Sequence, residues 1–418
     1  VPAAGAREFL LALFATGLAA VNGRVRMRAA LAGRDDLDEV WLLAVGKAAS
    51  AMTLGAIDAL GPRLARALVV SRDGYFDEEL AQHAQVECLT GGHPIPDAGS
   101  LAAGAAALAM ARNAGDGRRV LLLVSGGASS LMEVLPASVS LADLQKVSSW
   151  ALASGLPIER INAVRRRLSR VKDGRLLAAF SHCMVEGYFI SDVPGDDPAL
   201  VGSGLLAREE GPTEDSDLPG WVRELMERET DGPARPSQPA PTCVGCLDDA
   251  LAAVGRAARA AGVECRIHAA RLQGDAVAAA AKLVAELRQG TEQLLISGGE
   301  TTVQLPASPG RGGRNQHLAL AAALEIAGCE DLVVLAAGTD GTDGNSGDAG
   351  AIVDGGTIER GRDAGLDPKG CLAAADSGCF LEASGDLVHT GPTGTNVGDL
   401  LLSLRRDPGH STGAWPSM

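Results

Sequence analysis

Aromatic side chains are scarce in this chain: six Phe, two Tyr and four Trp amount to 3% of 418 residues. Its cores must therefore pack on alanine, leucine and valine, and a hydrophobic fraction of 46% supplies enough of them. Positive charge is short as well. Lysine and arginine number 37 against 52 aspartates and glutamates, a net charge of −15. That balance excludes an extended nucleic-acid-binding face, because phosphate backbones demand clustered lysine and arginine. It does not exclude a nucleotide, since a small basic cleft can sit in an acidic protein. No apolar run approaches the ~20 residues needed to span a bilayer, so no membrane partner is expected. The first residues lack the charged region, apolar core and small-residue cleavage site of a secretory signal. Eight cysteines are scattered without a framework. Cys243-Val-Gly-Cys246 is the only close pair, and no second pair completes a tetrahedral zinc site. The default is reduced thiols in a cytoplasmic protein.

A chain of 418 residues exceeds one ordinary core and should divide in two. Residues 207–241 change character, ending in the proline-rich stretch Asp231–Pro241, which is expected to be the linker. On either side, apolar runs alternate with helical periodicity. Strands are expected at 39–45, 67–71, 119–124, 184–190, 263–267, 294–299 and 332–337. Helices are expected before and between them, beginning with an amphipathic one on Phe9, Leu10, Leu13, Phe14, Leu18 and Val21. Residues 405–418 look like a disordered tail.

Chemistry concentrates where strands break into glycine. Leu294–Gly299 is a buried-strand pattern that ends in Gly298-Gly299-Glu300, the strand end at which open α/β sheets bind ligands. A second loop, Gly310–Gly313, carries Arg311 and Arg314 into a helical pattern. Bare backbone N–H groups, guanidiniums and a helix N-terminus together favour a phosphate; a flexible hairpin with a solvated arginine pair is the plain alternative. Arg119–Val124 ends likewise in Ser125-Gly126-Gly127-Ala128-Ser129, so two Ser-Gly-Gly loops are available to a ligand. Gly46-Lys47-Ala48 turns the strand 39–45 into a helix. It is no P-loop, for Ala48 stands where Ser or Thr is needed and Trp41 where the first glycine should be. Lys47 nonetheless lies at the site edge of a sheet, or else is an ordinary surface lysine.

Other polar loops are less specific. His93, in Gly91-Gly-His-Pro-Ile-Pro-Asp97, contacts a ligand or braces its loop. The run Arg160–Lys172 is richly basic and expected to be mostly solvated. Asp192, Asp196 and Asp197 follow the strand 184–190 and suit Mg²⁺, which binds through one or two carboxylates plus substrate phosphate, although turn formation explains the latter two. Gly338-Thr-Asp340-Gly-Thr-Asp343-Gly344 superficially resembles an EF-hand loop. A glycine interrupts its alternating ligands and a strand precedes it, so calcium is rejected.

Taken together, Ala44–Ala49, Gly91–Asp97, Ser191–Pro198, Gly298–Val303, Gly312–Gln316, Gly338–Gly344 and Thr390–Val397 resemble, in order, the motifs of the class II glycerate 2-kinases with their MOFRL C-terminal region. The resemblance implies an α/β fold: a Rossmann-like three-layer N-terminal domain (1–236), a smaller α/β C-terminal domain (237–418) and an active site in the cleft between them. It further implies ATP, Mg²⁺ and D-glycerate as the small-molecule partners, and admits a homodimer. Carried over by motif, Lys47 and Arg314 are the catalytic cations. Ser125, Gly126, Gly127, Ser129, Gly298, Gly299, Glu300, Gly312, Gly313, Asn315, Asp340, Asp343 and Asn396 bind substrate or nucleotide, and Asp192 or Glu300 holds the metal or orients the glycerate hydroxyl. Ala128, Gly204-Leu-Leu206 and His317 depart from the family pattern. Two rivals stand beside the kinase: a hydroxypyruvate reductase and a non-catalytic nucleotide or sugar-acid sensor. Against the reductase, no Gly-x-Gly-x-x-Gly follows a strand here with an acidic residue about 20 positions on.

Overall fold

A computed structural model describes residues 3–156, 158–208, 217–228 and 240–406. Most of the expected linker (209–216 and 229–239) and all but the first two residues of the expected tail lie outside them. Arg405, placed in the tail by its sequence, is instead the last residue of a central strand.

Six short strands form one wholly parallel sheet: β1 (Val40–Val45), β2 (Leu64–Ser71), β3 (Val86–Thr90), β4 (Arg119–Val124), β5 (Met184–Ile190) and β6 (Thr242–Gly245). Their order is β3-β2-β1-β4-β5-β6. The inner strands read as near-continuous Val/Leu runs because a parallel sheet is covered on both faces; Leu42, Leu43, Leu121, Leu122 and Leu123 are all buried. Chain direction across the sheet reverses between β1 and β4. Open α/β sheets take ligands outside the carboxyl ends of the strands at such a switch point.

A second sheet has the order β11-β10-β9-β12-β8-β7. It comprises β7 (Cys265–Ile267), β8 (Leu294–Gly299), β9 (Leu332–Gly338), β10 (Gly350–Asp354), β11 (Leu387–Val388) and β12 (Asp399–Arg405). Only β7 and β8 run parallel; the other pairs are antiparallel. The helices Ala276–Gln289 and Arg314–Glu325 pack on this sheet through an alanine-rich core, as a chain poor in aromatics must.

The two sheets belong to two compact units whose limits differ from 1–236 and 237–418. One unit is Asn22–Cys246 with Gly394–Asn396; the other is Val1–Val21, Leu247–Thr393 and Val397–Met418. The N-terminal helix Ala3–Ala20 thus packs with the second sheet, against Leu247–Ala260, β9 and β12. Arg7 anchors it there, 2.9 Å from Asp354 and 2.8 Å from Asp386. The helical run Gly5–Ala30 is, contrary to expectation, long and apolar enough to cross a membrane by length and composition alone. Its apolar side chains have another use: Ala6, Phe9, Leu10, Leu13 and Phe14 are buried within the unit.

Candidate active site

In the first unit the candidate residues gather at the carboxyl ends of β1 and β4. The backbone of Gly46 has φ 131°, and a Cβ there would stand 2.2 Å from Ser125 Oγ, so only glycine lets the two loops approach. They are stitched together: Lys47 N–H donates to Gly126 O at 2.9 Å, and Ala48 N–H to Ser125 Oγ at 3.0 Å. Gly127, in the left-handed region at φ 83°, lies under the Lys47 stem and the His93 ring. A Cβ on it would meet Lys47 Cγ at 3.4 Å and His93 Nε2 at 3.1 Å. On the other side, a Cβ on Gly126 would fall 2.1 Å from Asp192 Oδ2 and 1.9 Å from Asn396 Nδ2. The bare Gly126 backbone is therefore flanked by a cation-bearing turn and by a carboxylate–amide pair, whose Asn396 Nδ2 donates to Asp192 Oδ2 at 3.2 Å.

Ser129 is turned elsewhere, exchanging a 2.7 Å hydrogen bond with Ser203 Oγ, which itself donates to Asn162 at 2.8 Å. Asp197 is a turn former, its Oδ1 accepting Ala199 N–H at 2.8 Å. Asp196, with φ 54°, sits in the same tight turn, leaving Asp192 alone of the three at the glycine loop. The basic run is less solvated than expected. Lys172 is buried and ion-paired with buried Glu133, whose Oε1 also accepts from Ser169. Burial lowers the pKa of Lys172 from the usual lysine range. Arg166 is buried as well.

The second unit holds the other constellation, around the N-terminus of the helix Arg314–Glu325. Gly313 precedes that helix with no side chain to cap it, and a Cβ on it would lie 2.3 Å from Asp343 Oδ1. Asp343 caps the helix from a distant loop instead. Its carboxylate accepts Asn315 N–H at 3.1 Å, Gln316 N–H at 2.7 Å and Asn315 Nδ2 at 3.3 Å. Burial pushes its pKa up to about 7; the Gln316 and Asn315 hydrogen bonds and the Arg314 charge oppose the rise, and the charge of Asp399 adds to it. Asp340 is also turned inward, and its Oδ1 accepts Thr342 N–H at 3.0 Å.

Arg314, the first helical residue, is ringed by carboxylates. Nε and Nη2 donate to the two oxygens of Asp399 at 2.6 and 3.0 Å, and Nη1 is paired with Glu300 at the end of β8. Burial works against this guanidinium's charge, and Asp399 and Glu300 outweigh it, so its pKa is raised from an already high value. Gly299, at φ 150°, admits Leu272 O within 2.3 Å of where a Cβ would be. Gly298 sits in β8 opposite Leu400 of β12. Gly312, at φ 132°, donates to Asn345 Oδ1 at 2.8 Å. Arg311, one of the pair whose plain alternative was solvation, is tied between Asp348 and Glu382. His317 is a core residue, its Nδ1 3.2 Å from Ser377 Oγ.

Sequence reasoning missed Asp399. Its only signal is an acidic residue at the head of the apolar run Leu400–Leu404, and an acid buried on a strand requires a cation. Among the described residues no group of three or more His, Cys, Asp or Glu is arranged to hold a metal ion. Asp192 fits a single-carboxylate Mg²⁺ site completed by substrate phosphates, its Oδ2 held by Asn396 against the bare Gly126 backbone. Glu300 fits poorly, because the Arg314 guanidinium on its carboxylate repels a second cation.

Comparison with known proteins reaches both units. Residues 9–218 match a family described as a domain of unknown function, and residues 293–399 match the MOFRL family. The D-glycerate 2-kinase of Thermotoga maritima is 35% identical, over 88% of this chain and 91% of its own length. The glycerate 2-kinase of Pyrococcus horikoshii is 32% identical, over 88% of this chain and 87% of its own. An Agrobacterium vitis protein bearing the hydroxypyruvate reductase name is 34% identical, over 87% of this chain and 86% of its own. A crystal structure of glycerate kinase from Thermotoga maritima superimposes with a TM-score of 0.80 at 33% identity, covering 96% of this chain and 99% of that one.

Proposed function

Since this chain belongs to the glycerate 2-kinase family that carries the MOFRL region, we propose that it transfers the γ-phosphoryl group of ATP to the 2-hydroxyl of D-glycerate. The observation that carries the reading is the pair of constellations built on glycine backbone and one cation each, Lys47 in the first unit and Arg314 in the second. Phosphoryl transfer needs positioning and neutralisation of spreading negative charge, not a protein nucleophile. Backbone N–H groups and a lysine at the carboxyl ends of β1 and β4 suit a polyphosphate. The preorganised guanidinium of Arg314 suits charge that develops on the transferred group. Mg²⁺ held by Asp192 would neutralise phosphate oxygens. Oxygen-rich turns of this kind favour Mg²⁺ or Mn²⁺ over a softer ion.

The reductase reading is disfavoured by the turn after β1. It is Gly46-Lys47-Ala48-Ala49, without the glycine spacing that brings a dinucleotide pyrophosphate against a helix N-terminus. The test is a coupled ADP-release assay over a panel of small hydroxy acids, with NMR identification of the phosphorylated carbon. ADP release with D-glycerate and a phosphate on carbon 2 is the expected result. NADH consumption with hydroxypyruvate in the absence of ATP would replace the kinase with the reductase. ATP binding without turnover of any hydroxy acid would leave a sensor.

A further inference from the structure

The carboxylates around Arg314 are not equivalent. Asp399 takes Nε and Nη2 with both oxygens in a side-on pair, at 2.6 and 3.0 Å. Its side chain is 2% exposed, whereas that of Glu300, on Nη1, is 57% exposed. Asp399 is also the better fixed of the two. It is the first residue of β12 and sits in register with both neighbouring strands, opposite Gly299 of β8 and Gly338 of β9. Glu300 follows the end of β8 and belongs to no strand. A two-point grip fixes the plane of a guanidinium as well as its position. The edge left over is the Nη1 edge, covered by a solvent-exposed side chain.

The geometry points to Asp399 as the positioning residue of the phosphoryl-transfer site: it locks the plane of Arg314 through Nε and Nη2, so that only the Nη1 edge, now on Glu300, is exchanged for an anionic ligand. The inference rests on the reading of Arg314 as a cation that serves the transferred group. A purely structural salt bridge predicts something different. Breaking it would lower stability and leave the chemistry of the folded fraction intact, whereas loss of orientation appears in kcat, because charge stabilisation in the transition state depends on donor placement.

Steady-state kinetics of Asp399→Asn, Arg314→Ala and the double variant, each checked for folding by circular dichroism, separate the two. The Asp399→Asn change should lower kcat by about 10–100-fold, the usual cost of losing a supporting contact, with little change in KM. In the Arg314→Ala background it should cause no further loss, because a residue that acts through Arg314 has nothing left to orient. An independent multiplicative loss in that background overturns the proposal, as does an unchanged kcat. A second readout needs no activity and leaves Asp399 itself unchanged. In protein labelled with ¹⁵N-arginine, the Arg314 Nε–H resonance, assigned by its loss in Arg314→Lys, should exchange at least about tenfold more slowly than those of exposed arginines. It should stay slow in Glu300→Gln. Rapid exchange in the wild type, or its appearance in Glu300→Gln, removes Asp399 from this role. Absence of ADP release with D-glycerate would sink the kinase reading while the resonance stayed slow, so the two failures are distinguishable.

Discussion

At the scale of the residue, the protein places two cations of different character. Lys47 is a point charge on a flexible stem, carried by a turn whose backbone is bonded to the Ser125–Gly127 loop. Arg314 is a planar fork whose orientation is set by Asp399. If each stabilises charge on the transferred phosphoryl group, alanine at either position should cost mainly kcat, on the order of 10²–10³-fold. The double variant should lose less than the product of the single losses, since both act on one transition state. Arg314→Lys should recover only part of the activity, because an ammonium cannot fill the two-point seat on Asp399 and still present a second edge. Near-normal kcat in both single alanine variants would overturn these assignments. The lysine was visible in the sequence because glycine after an apolar run marks a strand-to-loop junction. Asp399 was not, because its partner lies 85 positions away and only the folded sheet brings them together.

At the scale of the element, the helix Arg314–Glu325 begins without a cap of its own and borrows Asp343. The folded protein holds the Asp343 proton up to about pH 7, whereas an unfolded chain gives it up near about 3.9. The stabilisation that this difference supplies is full below the lower value and is lost as pH rises toward and through the upper one. Stability should therefore fall across that window by up to about 1.4 kcal/mol per pH unit. Urea denaturation of Asp343→Asn should give a flatter pH profile than the wild type; identical slopes would mean that Asp343 is ionised throughout. The parallel sheet was the legible part of the fold. β4 and β5 fall at their expected limits, since β4 is an apolar run that stops at Ser125-Gly126-Gly127 and β5 ends in Tyr-Phe-Ile before the polar turn Ser191–Pro194. The second sheet was harder. β11 has two residues, and β12 follows a polar glycine loop near the C-terminal end, so neither length nor alternation announced a strand at the sheet's centre. The missed β6 contains Cys243, so half of the cysteine pair that invited a metal reading is part of a strand.

At the scale of the whole molecule, the unit that carries Arg314 is built from segments far apart in the chain. Phe9, Leu10, Leu13 and Phe14 of its first helix are at most 3% exposed. Four such side chains amount to roughly 6–12 kcal/mol of burial, comparable with the total stability of a domain, about 5–15 kcal/mol. Removal of residues 1–21 should therefore open the unit that contains Leu247–Thr393 and spare Asn22–Cys246. Hydrogen exchange read by mass spectrometry would locate the loss. Protection retained throughout Leu247–Thr393 would show that the helix is dispensable.

The same discontinuity orders events during synthesis. The helix Ala3–Ala20 is made before the other described elements, while β12, which it packs against, begins at Asp399. At about 5–20 residues per second, a ribosome needs roughly twenty to eighty seconds to reach the strand after finishing the helix. During that interval Asn22–Cys246 can assemble its own sheet, while the seat of Phe9, Leu10, Leu13 and Phe14 stays incomplete: Leu247–Ala260 is made after that unit's long segment, β9 later still and β12 last. A nascent chain that offers a greasy helix for this long is a natural client for the chaperones that wait at the exit tunnel.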